Sequence, residues 1–222
     1  MSLFVTGTDT NIGKTLISAA LLHAYALQGK RVVGMKPVVA GCESDGSYSD
    51  VTALQAASNV QVADTLMNPY RYPIAAAPHL AARLQGETIE LHRILRSYAE
   101  LSALADVVVV EGAGGFILPL NEQQDGGDLA TALNLPVVLV VGLRLGCLNH
   151  ALLTVQAIHA RGLKLAGWVA NCVDEQMALR DENIATLQKR ISAPLLGVVP
   201  YQLQPDARYV AASLDMASLV PR

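Results

Sequence analysis

A chain of 222 residues, 52% of them hydrophobic, is sized for one compact α/β domain with little room for a second. Its 16 basic and 19 acidic residues leave a formal net charge of −3 and no basic block, which argues against a nucleic-acid or anionic-membrane surface. The cysteines, Cys42, Cys147 and Cys172, are far apart and form no CxxC pair, so a disulfide framework or zinc site is not expected and a reducing cytoplasm fits.

The N-terminus, Met-Ser-Leu-Phe-Val-Thr-Gly, has no basic region followed by a cleavable apolar stretch, so no signal peptide is expected. Leu3 to Val5 reads as a strand that runs into Gly7-Thr8-Asp9-Thr10-Asn11-Ile12-Gly13-Lys14-Thr15. A glycine-rich loop between a strand and a helix is a phosphate cradle: backbone N–H groups and the helix N-terminus hold anions. Lys14 would neutralise the β and γ phosphates, and the Thr15 hydroxyl would ligate magnesium. The common Gly-x-x-x-x-Gly-Lys-Thr spacing would put a glycine at Thr8, but the first glycine, Gly7, stands one residue earlier. The alternative is a glycine-rich turn capped by Thr10 or Asn11.

Lys14 to Gln28 has helical periodicity and stops at Gly29. Arg31 to Gly34 is the second strand, and Lys36 follows it at the edge where open α/β sheets bind ligands. Lys36 is either a solvated lysine or a charge for a transferring phosphoryl group or carbamate. Asp50 opens a helix over Ser49 to Ala57, where it complements the helix dipole, ligates magnesium, or does both. Residues 58–88, rich in Pro and Ala, read as an irregular excursion. A helix over Leu91 to Leu104 precedes the apolar strand Val107 to Val110, which ends in Glu111 and the run Gly112-Ala113-Gly114-Gly115. An apolar strand with a terminal carboxylate is the Walker B arrangement, and the glycines permit close backbone approach to a ligand.

Pro136 to Val141 is the fourth strand. The run Leu135 to Leu143 is too short to span a bilayer. Gly146-Cys147-Leu148-Asn149-His150 then starts a helix expected over Asn149 to Arg161. Its free N–H groups would hold a carboxylate, or Asn149 simply caps it; His150 reads as a partly buried structural histidine. Leu165 to Ala170 is a strand followed by Asn171, whose amide suits either a purine edge or a turn. A helix over Ala178 to Ile191, a strand over Leu195 to Val199 and a packed tail over 200–222 complete the pattern. Alternating strands and helices imply one α/β P-loop domain with a mostly parallel, doubly wound sheet flanked by helices.

In order, these residues resemble dethiobiotin synthetases over nearly the whole chain. The resemblance is carried by the Gly7 to Thr15 loop with its extra residue, Lys36-Pro37-Val38, Ser49-Asp50, Val110 to Gly115, Gly146 to Ala151, Gly167 to Asn171 and Pro194 to Pro200. It implies an ATP-dependent, magnesium-requiring synthetase that carboxylates 7,8-diaminononanoate with carbon dioxide (or bicarbonate) and closes a ureido ring through a carbamic-phosphoric anhydride. It implies Lys14 and Lys36 as catalytic cations, and Thr15, Asp50 and Glu111 as metal ligands. The nucleotide would be held by Asn11, Ile12, Gly13, Lys14, Thr15, Leu16, Asp50, Glu111, Gly112, Ala113, Gly114, Asn171, Cys172, Pro200, Tyr201 and Gln202. Substrate contacts would come from Ala40, Gly114, Leu145 and Asn149, with Leu145 to Asn149 serving the neighbouring subunit of a homodimer. Pro78-His79 would border the substrate, and Asp206 corresponds to an acid near the ribose. Departures are Ala40, where many members carry Ser or Thr, Asn11 in place of a Glu, and Cys172 in place of a frequent Asp.

Three other classes share parts of this pattern. Partition-type ATPases carry a second lysine early in the loop, where this chain has Asp9. Amidotransferase-linked synthetases need a glutaminase domain for which no length remains. A non-catalytic nucleotide-binding relative would not be expected to keep Lys14, Thr15, Lys36, Asp50 and Glu111 together.

Overall fold

A computed structural model describes residues 2–219. Strands β1 (Leu3–Gly7), β2 (Val32–Met35), β5 (Val107–Glu111), β6 (Val137–Leu143), β7 (Leu165–Cys172) and β8 (Leu195–Val199) form one sheet in the order β2-β5-β1-β6-β7-β8. Every pair in it is parallel. Strands β5 and β6 are buried along their whole length, which explains their unbroken valine and leucine runs. A second sheet pairs β3 (Val38–Ala40) with β4 (Tyr70–Tyr72), also parallel.

The helices are α1 (Lys14–Leu27), α2 (Ser49–Ala57), α3 (Asp64–Met67), α4 (Pro78–Leu84), α5 (Leu91–Leu104), α6 (Gly126–Leu133), α7 (Cys147–Ala160), α8 (Arg180–Arg190) and α9 (Ala207–Ser213). Right-handed crossovers place α1 on one face of the sheet and α5 to α8 on the other. The contacts agree: α1 packs on α2 and α9, α5 on α6, and α7 on α8. From β1 the chain moves outward to β2, but from β5 it crosses to β6 on the other side of β1. That reversal opens a crevice at the carboxyl ends of the strands. The parallel registers Val5↔Glu111, Met35↔Val110 and Gly7↔Val140 bring the ends of β2, β5, β1 and β6 to that one edge.

The structure departs from the sequence-based expectations in several places. Residues 58–88 are not irregular: they hold α3, β4 and α4. Helix α6 went unrecognised because Gly126 and Gly127 open it, at the positions of lowest helix propensity after proline. A reciprocal capping box between Asp125 and Asp128 compensates, and Arg161 pairs with both carboxylates. Strand β7 runs on through Cys172, so Asn171 lies inside it, opposite Gly142 and Val199, rather than in a turn. Within the tail, Asp206 accepts N–H bonds from Arg208 and Tyr209 and caps α9.

Candidate active site

The phosphate loop is bounded by the end of β1 and the start of α1. The first helical turn has no side-chain cap; its N-cap is Gly13, with φ +89°, and neither Thr10 nor Asn11 supplies one. The extra residue in the loop is accommodated by a left-handed backbone at Asn11, with φ 57°. Ile12, 1% exposed, pins the loop from beneath by packing against Gly7 and Gly142. Lys14 reaches back across the loop and donates to the Asp9 carbonyl at 2.7 Å. Arg144, at the end of β6, forms an ion pair with the Asp9 carboxylate. Asn171, 6% exposed, donates its side-chain amide to the Ile12 carbonyl at 2.8 Å, so one of its hydrogens holds the loop.

Beside the loop, four groups converge, from α1, α2, β5 and the link between β2 and β3. Thr15 Oγ1 lies 2.8 Å from Asp50 Oδ1 and 2.9 Å from Glu111 Oε1. Its single proton can be donated to only one of them. Lys36 Nζ sits 2.7 Å from Asp50 Oδ2 and 2.5 Å from Glu111 Oε1. Lys36 is 4% exposed and Glu111 is fully buried, so this is a desolvated pair. Glu111 Oε2 is buried without a hydrogen-bond partner.

The electrostatics follow from the geometry. Burial pushes the Lys36 ammonium towards deprotonation, but the Glu111 and Asp50 carboxylates outweigh it and hold its pKa above the ordinary lysine value. For Asp50, burial acts upward, yet Lys36 and Thr15 bring the carboxyl below its usual range. Lys14 has no carboxylate in contact. Burial, reinforced by the Lys36 charge, lowers its pKa to about 8. Phosphate bound beside Lys14 should raise that value again, so nucleotide binding at and above pH 8 should take up a proton and weaken as pH rises. Well below pH 8, Lys14 is already charged and the uptake should vanish. Calorimetric titrations in two buffers of different ionisation enthalpy check this: equal heats at pH 8 would contradict it.

Magnesium is implied by the phosphate loop, and the residues present suit it. Three oxygen donors, Thr15 Oγ1, Asp50 and Glu111, converge from three elements, and Glu111 keeps a buried oxygen free. A hard cation that retains water and takes phosphate oxygens needs no fuller protein shell.

The cleft above these groups has a volume of about 620 Å³. Of the site residues expected from sequence, Asn11, Gly13, Lys14, Thr15, Lys36, Ala40, Asp50, Glu111, Ala113 and Gly114 line it. Ile12, Leu16, Gly112, Asn171, Cys172, Pro200, Tyr201 and Gln202 do not. Ile12 and Asn171 instead support the loop from behind. Leu145, 95% exposed, and Asn149 also lie outside it, on the surface. Helix α7 begins at Cys147 with Gly146 as its N-cap, so Asn149 sits inside its first turn and is not the cap; His150 is exposed, not partly buried. Pro78 lines the cleft, but His79 faces a separate cavity with Arg83, Glu87 and Asn121. The rest of the lining is Thr10 of the phosphate loop and a wall of Val38, Val39, Ala75, Ala76, Ala77 and Leu118. Of that wall the motifs name only Val38, and Ala75 to Ala77 belong to the Pro- and Ala-rich run before Pro78.

An AAA-domain family model matches residues 1–208. The chain is 52% identical to the ATP-dependent dethiobiotin synthetase BioD of Nitrosospira multiformis over 216 residues, covering 97% of this chain and 95% of that protein. It is 52% identical to the protein of the same name from Ralstonia nicotianae over 222 residues, covering 99% and 97%. Among solved structures, the MinC:MinD cell division protein complex of Aquifex aeolicus aligns with a TM-score of 0.56 at 14% identity, over 91% of this chain and 82% of that one. The signal recognition particle 54 kDa protein of Aeropyrum pernix, solved with GDP, aligns with a TM-score of 0.53 at 19% identity, over 99% and 47%. The structural neighbours establish the P-loop fold; the sequence relatives establish the family.

Proposed function

The chain belongs to the ATP-dependent dethiobiotin synthetase family, and on that basis we propose how its cleft carries out the synthesis. The observation that carries the proposal is the convergence of Lys14, Thr15, Lys36, Asp50 and Glu111 on one cleft large enough for a triphosphate and a linear diamine.

One amine of 7,8-diaminononanoate takes up carbon dioxide as a carbamate and releases a proton. A carbamate oxygen attacks the γ-phosphorus of ATP, and ADP departs. The second amine attacks the carbamyl carbon and gives up a proton, the C–O bond to phosphate breaks, and phosphate leaves as the five-membered urea closes. The protein forms no covalent bond in this sequence; its contribution is position and charge. The loop N–H groups and Lys14 hold the β and γ phosphates. Lys36, kept protonated by its carboxylates, faces the transferring phosphoryl group and the carbamate. Magnesium, held by Thr15, Asp50 and Glu111, would supply Lewis-acid neutralisation of the phosphate oxygens. Ala40, at the end of β3, lines the substrate side without a hydroxyl, which removes one hydrogen bond of about 1 kcal/mol.

The nucleobase would lie beyond Gly13, near Asn171, Cys172 and Pro200 to Gln202. A homodimer completes the proposal, with Leu145 to Asn149 presented to the partner's substrate. In its support, Leu145, Leu153 and Ile117 are large apolar side chains at least half exposed near that face. No described helix is long and apolar enough to cross a membrane.

Phosphate release tests the proposal when ATP, magnesium, bicarbonate and the diamine are omitted in turn. Release should require all four. Release without the diamine, and no ureido product, would return the chain to the wider class of P-loop ATPases.

A further inference from the structure

Lys36 has to place a flexible four-carbon side chain between two carboxylates, and its backbone lies where the sheet cannot hold it. Strand β2 is an edge of the six-stranded sheet and ends at Met35. Pro37 follows, so the next residue has no N–H to donate, and Lys36 is itself biased to extended backbone. Both polar backbone groups of Lys36 are instead taken by the last residue of α3 and the residue that follows it. Its N–H donates to the Met67 carbonyl at 2.8 Å. Its carbonyl accepts from Asn68 Nδ2 at 2.6 Å, and the second hydrogen of the same amide goes to the Tyr70 carbonyl at 3.0 Å.

Asn68 is 1% exposed, and its Oδ1 is buried without a hydrogen-bond partner. A flipped amide would set that oxygen against two carbonyl oxygens, so the orientation is determined by its neighbours. Leaving an acceptor buried and unsatisfied is unfavourable. The residue is therefore not there to satisfy itself; its two donors tie the end of β2 to β4.

We propose that Asn68 is a positioning residue for phosphoryl transfer, acting only through Lys36. The inference rests on the role given to Lys36 above. A misplacement of about 1 Å can lower a rate by about 10²-fold. Asn68→Ala should therefore lower kcat by about 10- to 100-fold while the KM for ATP, set by the phosphate loop, stays within about threefold. It should also reduce the preference for a non-hydrolysable ATP analogue over ADP, a binding measurement that needs no turnover.

The decisive comparison repeats both measurements in a Lys36→Met background. There, Asn68→Ala should change neither the rate nor the nucleotide preference further, because the group it positions is gone. An equal loss in both backgrounds means a general structural role and overturns the inference, as does an unaltered kcat in Asn68→Ala. Should Asn68→Ala not fold, Asn68→Ser, which keeps one donor, is measured in the same scheme. A large loss in Lys36→Met with none in the Asn68 variants defeats this inference alone. An unaltered Lys36→Met rate defeats the reading of Lys36 as well.

Discussion

Lys36→Met is expected to lower kcat by about 10³-fold or more, because it removes a cation aimed at charge that develops during phosphoryl transfer. The same change should destabilise the nucleotide-free protein. Glu111 is fully buried, and without Lys36 its nearest polar partner is the single hydroxyl of Thr15 at 2.9 Å. Breaking a buried ion pair from one side costs about 3–5 kcal/mol, since the remaining charge is left uncompensated. The two effects are separable. Combining Lys36→Met with Glu111→Gln removes both buried charges, so it should recover much of the stability measured by denaturant unfolding. It should not recover turnover. Recovery of both, or a single-variant rate within tenfold of the starting protein, would contradict the role assigned to Lys36.

Gly13→Ala should abolish useful nucleotide binding by a different route. Gly13 has φ +89°, and a Cβ there would lie 2.1 Å from Asn171 Nδ2. The dihedral alone costs about 1–3 kcal/mol. The clash also displaces the amide that holds the Ile12 carbonyl, so the loop cannot keep its shape around phosphate. Affinity for ATP is expected to fall by about 10²-fold, the equivalent of about 3 kcal/mol. Gly29→Ala is the control: φ is +76° there, but a Cβ meets nothing within 4 Å. It should show a modest loss of stability and unaltered nucleotide affinity. Equal affinity losses in the two variants would mean that the Asn171 contact is unimportant.

The residues whose place at the cleft is legible in the sequence are those whose position follows from a strand end. Glu111 terminates an apolar run, Lys36 follows one, and Lys14 and Thr15 open a helix after one. In an all-parallel sheet those ends must meet at one edge, so the cluster is legible in the sequence. Asp50 was equally legible, because α2 begins where its motif indicated.

What escaped was decided by long-range contacts. Asn68 looks like an ordinary turn residue until its amide is seen to bridge the Lys36 and Tyr70 carbonyls. The 75–78 wall of the cleft has no charged or polar signature; it matters only through its location. The amide of Asn171 suits either a purine edge or a turn by its chemistry alone, and only the fold shows that one of its hydrogens is committed to the phosphate loop across 159 residues of sequence. Helix α6 was concealed by two glycines whose penalty is offset by a capping box and by Arg161, which is 36 residues from Asp125.

In the proposed mechanism, this cleft transfers the γ-phosphoryl group of ATP to a carbamate oxygen before the ring closes. Bicarbonate labelled with ¹⁸O tests it most directly, with the released phosphate analysed by mass spectrometry after a single turnover with the diamine. Transfer through a carbamic-phosphoric anhydride carries one carbamate oxygen into phosphate, so labelled phosphate should appear in step with dethiobiotin. Phosphate that takes its new oxygen from water instead would mean that ATP is simply hydrolysed in the cleft, and would contradict the mechanism.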